Sequence, residues 1–151
     1  MREEARLSDE IETPLSSVLA ALQQLRVPED EFRRFDDATA ATIVERARDK
    51  FVVGRPRIWW LQLKLPKRVF DYEFVFQHLL EHIPAHETRV WFIPDGETPE
   101  RAVFDVDKKW LPLVLNECIY FEYYVLGQAN DWLILDTDHD ELIFVSDHAD
   151  A

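Results

Sequence analysis

Apolar and polar positions alternate most clearly from Cys118 to Val145, CIYFEYYVLGQANDWLILDTDHDELIFV, where apolar runs flank an acidic loop. Gly127 to Asn130 separates the first run from Trp132–Leu135, and Asp136 to Glu141 separates that from Leu142–Val145. Connections this short between neighbouring strands require antiparallel pairing, so the stretch predicts a three-stranded meander. Upstream, Arg57–Leu65 (RIWWLQLKL) has period two and predicts a strand. Trp59, Leu61, Leu63 and Leu65 fall on one face, and Ile58, Trp60, Gln62 and Lys64 on the other. Thr88–Ile93 predicts a further strand and Ala102–Val106 a short edge strand.

Helical spacing dominates the first third. Thr13-Pro14 reads as an N-cap followed by proline at the first helical position, ahead of Leu15, Val18, Leu19, Leu22 and Leu25, and Pro28 closes the segment. Residues 3–12 carry a poorer pattern for a short helix before it. Asp36 or Asp37 caps a second helix through Phe51, with Ile43, Ala47 and Phe51 along one side. A third is predicted over Asp71–Ile83 from Tyr72, Val75, Phe76, Leu79 and Ile83, stopped by Pro84. A brief fourth lies near Lys108–Asn116. Strand, helix and strand across residues 57–93 imply a parallel crossover pair. The expected architecture is α+β: a mixed, mostly antiparallel sheet of about five strands, with N-terminal helices and the C-terminal meander. One domain spans 1–151, helical over about 1–54 and sheet-forming over about 57–147.

Composition narrows the class. The chain has 151 residues, 47% of them hydrophobic, and only three glycines, which suits a packed domain burying roughly 70% of its unfolded surface. A single cysteine, Cys118, excludes an internal disulfide, and no stretch reaches the ~18 apolar residues of a membrane span. With the acidic start MREEARLSDE in place of a secretory signal, this points to the cytoplasm. Net charge is −13 and uneven. Residues 51–70 hold Arg55, Arg57, Lys64, Lys67 and Arg68 but no acid, whereas the chain after Trp110 holds nine acids and no base. General nucleic-acid binding is disfavoured, since phosphates need clustered Lys and Arg. A basic protein partner is favoured.

Few motifs carry chemistry. His78-Leu79-Leu80-Glu81-His82 spells H-x-x-E-H, which on a helix would let both imidazoles reach one zinc with Glu81 as base and Glu117 or Glu122 as third ligand. Against this, Pro84 places both histidines in closing helical turns, where they complement the dipole. Asp136, Asp138 and Asp140 alternate as in a calcium loop, but Glu141 stands where glycine is needed, and a strand follows. The loop therefore reads as a structural hairpin turn. No G-x-S-x-G, C-x-x-C or glycine-rich phosphate loop occurs, and no catalytic, metal or cofactor residue is assigned. Alternation instead groups Trp60, Tyr120, Tyr124 and Trp132 on one sheet face, with Phe121 and Tyr123 opposite. Rigid aromatics among polar neighbours suit a binding surface, with Asp138, Asp140 and Glu141 steering the partner.

Phe121–Ile143 (FEYYVLGQANDWLILDTDHDELI), with Asn116–Cys118 before it, resembles a family of small bacterial proteins described only as a domain of unknown function. That family carries F-E-Y-Y, then W-L, an acidic loop with His-Asp, and an apolar strand. More loosely, the layout is similar to that of immunity proteins of bacterial toxin systems, by fold and charge alone. The expected function is a non-enzymatic acidic protein-binding domain of the immunity or inhibitor kind. The alternative is a small zinc hydrolase using His78, Glu81 and His82.

Overall fold

The computed structural model describes residues 13–96, 101–137 and 139–146. Among these, seven strands form one sheet: β1 (Phe32–Arg34), β2 (Lys67–Asp71), β3 (Arg89–Pro94), β4 (Phe104–Asp107), β5 (Tyr123–Leu126), β6 (Trp132–Asp136) and β7 (Glu141–Ser146). Their order is β1-β4-β3-β5-β6-β7-β2, and every neighbouring pair is antiparallel. The fold is thus α+β, as expected, but with seven strands rather than about five and no parallel pair. The helices are α1 (Pro14–Leu25), α2 (Asp37–Phe51), α3 (Leu79–His82) and α4 (Leu111–Glu117).

Local chemistry explains where the long helices begin. Thr13 accepts from the Ser16 N–H at 3.0 Å while Ser16 Oγ accepts from the Thr13 N–H at 2.9 Å, a reciprocal cap with Pro14 at the first position. Asp36 accepts from the Thr39 N–H at 2.8 Å and starts α2. Both sheet faces are covered. α1, α3 and α4 pack over Phe92, Phe104, Tyr123, Val125, Trp132 and Ile134, with Val18, Leu79, Leu111 and Val114 from the helices. On the other face, Ala40, Ile43, Val44, Ala47 and Phe51 of α2 pack over Ile93, Tyr124, Leu126, Leu133, Leu135 and Ile143. Burial on both faces goes with a continuous apolar run through β5 and through β6 as far as Leu135, instead of a half-polar alternation.

The meander forms as expected, through the Gly127–Asn130 turn and the 137–140 loop. Three other segments differ. Arg57–Leu65 is no sheet strand: Trp59–Leu61 is a single 3-10 turn, Trp59 alone of its supposed inner face is fully buried, and Leu61 is 61% exposed. Pro56 and Pro66 bracket the segment, and it bonds back to the end of α2 (Val53 N–H to Gln62 O, 2.7 Å; Lys64 N–H to Phe51 O, 3.1 Å), lying over the sheet as a lid. The helix expected over Asp71–Ile83 is replaced by the end of β2, a 3-10 turn at Val75–His78, and the four-residue α3. Its apolar spacing still buries Val75, Leu79 and Ile83. β4 is no edge strand but lies between β1 and β3; the true edge there, β1, sits inside the stretch expected to be helical. Residues 3–12 lie outside the described residues.

Gly127 is needed for close approach. A Cβ there would stand 2.5 Å from Trp132 Nε1, and that indole is held by Glu87 Oε2 at 2.9 Å and stacked on Phe144. Gly127→Ala should lower unfolding free energy by ~1–3 kcal/mol in urea titration, because the ring has no room to retreat.

Candidate functional site

β3 and β6 end where β5 and β7 begin, so one end of the sheet collects Pro94, Tyr123, Asp136 and Leu142 across neighbouring strands. Just past β3, Asp95 turns inward and its N–H donates to Glu122 O at 2.9 Å. Its carboxylate accepts from Arg101 Nε at 3.1 Å and from the Tyr124 hydroxyl at 2.8 Å. Arg101 also donates from Nη2 to Arg57 O at 2.9 Å, tying the lid down. The Asp95 and Arg101 side chains are 2% and 4% exposed. Tyr124 stacks flat on Trp59 (4.7 Å, 4°), and the Arg101 guanidinium lies 5.0 Å from the Trp59 ring centre. Burial, then the Asp95 charge, pushes the Tyr124 hydroxyl far above its ordinary pKa, so it remains a donor.

Over this base lies a surface of aromatic and acidic groups. The Trp60 indole N–H points to Glu122 Oε1 at 3.4 Å, and its ring meets His139 edge-on at 5.3 Å. The Tyr120 hydroxyl donates to Thr137 O at 2.7 Å while the residue stays 62% exposed. Thr137 Oγ1 accepts from the His139 N–H at 3.1 Å, and the Thr137 N–H donates to Glu141 O at 3.1 Å. Leu61 extends the exposed apolar area beside Trp60. On the opposite sheet face, Asp136 is buried at the end of β6, opposite Tyr123. Burial, reinforced by Glu122 and Asp140, pushes its pKa up to about 7.

Residues 13–151 match the model of a family of unknown function, DUF6756. The chain belongs to that family. The match spans every described element of the DUF6756 sheet and its helices. Comparisons with curated proteins and with solved structures returned no match.

The four aromatics grouped on one face are divided in the DUF6756 fold. Trp60 and Tyr120 reach the surface of the sheet end, and Tyr124 lies beneath it, fully buried. Trp132 packs on the opposite face, at the other end of β6. The register explains this: Tyr124 pairs with Leu135, so Leu133 and Leu135 share its face, while Trp132, Ile134 and Asp136 share that of Tyr123. Asp140 and Glu141 flank the site, the former exposed with a left-handed backbone (φ 57°), and Asp138 lies outside the described residues. The two histidines of the H-x-x-E-H stretch gather around Tyr72. His78 Nδ1 is 2.9 Å from Glu81 Oε2, and its ring stacks on Tyr72 at 3.9 Å; His82 Nε2 is 2.7 Å from the Tyr72 hydroxyl. Burial holds His82 below its usual pKa. Among the described residues, no three His, Cys, Asp or Glu side chains converge as metal ligands.

Asp95 and Arg101 anchor the site and were not singled out from the sequence, while Glu122 figures there as a third zinc ligand and His139 as part of the acidic loop. Pro94-Asp95-Gly96 has the composition of an ordinary turn, and nothing local announces that Arg101 meets Asp95. Asp136 had a signal: it continues the apolar run Trp132–Leu135 and so shares its burial.

Two outcomes follow from these carboxylates. Asp95→Ala strands the Arg101 charge and the Tyr124 hydroxyl in the interior, and urea titration should give a loss of ~3–5 kcal/mol. For Asp136, the unfolded chain ionises near the ordinary value of 3.8 while the folded one holds its proton to about 7. Its contribution therefore favours unfolding progressively as pH rises through that window. Asp136→Asn should gain stability relative to wild type by roughly 2–3 kcal/mol between pH 5 and pH 8, measured as the difference of paired urea curves.

Proposed function

We propose that this DUF6756 chain is a non-enzymatic protein-binding module, and that the end of its sheet is the surface that engages a basic partner. The observation that carries this reading is that exposed Tyr120 and half-buried Trp60 both reach the loop after β6, Tyr120 through Thr137 O and Trp60 through the His139 ring. Exposed Leu61 is next to Trp60 in the chain, and Glu122 is bonded to the Trp60 indole. Large apolar side chains held rigid at low entropic cost are what binding hot spots use, and carboxylates around them add steering. Rigidity comes from below, where the Asp95–Arg101 pair and the Trp59–Tyr124 stack leave the base of the patch little freedom. A net charge of −13 favours a cationic target such as a toxin or basic enzyme, held as an immunity or inhibitor protein would hold it.

Affinity capture with wild type and with a Leu61→Ser/Tyr120→Ser variant, at matched melting temperature, identifies the partner as the protein retained only by wild type. With that partner, Asp140→Asn/Glu141→Gln should slow association by about tenfold at low ionic strength and flatten its salt dependence. The aromatic variant should mainly speed dissociation. Rates unchanged by both variants would overturn the assignment of the sheet end.

A further inference from the structure

β2 closes one edge of the sheet, and among the described residues its outer side is open. The register with β7 turns the N–H and C=O of Arg68 and Phe70 inward, as the flanking bonds Tyr72 N–H to Asp140 O (2.9 Å) and Ser146 N–H to Pro66 O (3.4 Å) require. The N–H and C=O of Lys67, Val69 and Asp71 therefore face outward. Lys67, Arg68, Val69 and Asp71 are all exposed, Val69 by 47%, so no other element covers this edge among the described residues.

The order of residues along this edge complements itself. Laid antiparallel on a second copy about a two-fold axis at Val69, the outward groups of Val69 meet their own equivalents, and Lys67 meets Asp71 at each side. All five residues of the strand are paired. Lys67, Val69 and Asp71 share one sheet face, so each Lys67 ammonium would sit beside an Asp71 carboxylate, and the two valines would pack on the axis. On the other face, Arg68 would lie across from Phe70, a ring its own guanidinium already approaches at 5.8 Å. Within one chain Asp71 stands opposite Glu141, a like-charge pair that a lysine from the open side would offset. The other edge lacks this property. Pairing β1 about its centre sets Arg33 against Arg33.

We propose that β2 is a homodimerisation edge, joining two copies into one continuous antiparallel sheet with Val69 on the two-fold axis. This proposal does not rest on the partner surface at the sheet end, although the two adjoin where Asp71 stands opposite Glu141.

Sedimentation of the full chain in ~0.15 M salt, over roughly 10 μM to 1 mM, tests it. Wild type should shift from the 17.9 kDa monomer toward dimer. Val69→Pro removes only an outward N–H and should give a monomer with little change in melting temperature. Lys67→Asp and Asp71→Lys should each raise the dimer Kd by about tenfold or more. Mixed together, the two variants should form a heterodimer, because one then carries acids at both positions and the other carries lysines at both. The double variant Lys67→Asp/Asp71→Lys should recover the homodimer. A wild type monomeric throughout the range, or a dimer indifferent to Val69→Pro and to both charge reversals, overturns the proposal.

Discussion

The buried carboxylate of Asp95 is the interaction on which the site depends. It fixes three separate parts of the chain with one group: the exit of β3, the approach to β4 through Arg101, and β5 through Tyr124. Arg101 passes the constraint to the lid through Arg57 O, and the Trp59–Tyr124 stack lays that lid flat on the sheet. An ion pair this enclosed is weak evidence of net stability, since desolvating both charges costs about as much as their attraction returns. Its effect is on arrangement. With three acceptor and donor groups satisfied together, alternative placements of the lid leave a charge in an apolar interior, and they are excluded on that ground.

The same end of the sheet therefore combines a fixed foundation with an adaptable surface. Trp60, Tyr120 and His139 are tethered on the side facing the loop, Trp60 by Glu122 and the His139 ring, Tyr120 and His139 by Thr137. Asp136 belongs to the opposite face, and its proton links the end of β6 to pH in the range where most proteins work.

How much of this was legible in the sequence depended on how local the causes were. Caps were fully legible, because Thr13 and Asp36 act on residues three positions away. The meander was legible because tight turns allow one pairing. RIWWLQLKL misled, since a period of two describes any extended chain packed on one side, and this segment lies over one sheet face, with Trp59 stacked on Tyr124, instead of joining an edge. Tyr72 to Ile83 misled in the opposite sense: spacing of three and four residues suits consecutive 3-10 turns as well as one helix. β1 is too short to have a period. The site itself required Asp95 to meet Arg101 and Trp60 to meet Glu122, and only tertiary structure brings Trp60 and Glu122 together. Trp132 was misplaced because the phase of alternation passes through a turn, and one residue of slip exchanges the faces.

Strand order carries a consequence for how the chain is made. The two outermost strands, β1 and β2, come first in the sequence, and the five strands between them follow. A ribosome therefore releases the rims before the centre. α2 and the lid emerge with their apolar sides facing nothing, because Tyr124, Leu133 and Ile143 have not been synthesised. Closure waits for β7, whose arrival gives β2 its first neighbour, so the sheet cannot be completed until its last strand has been made.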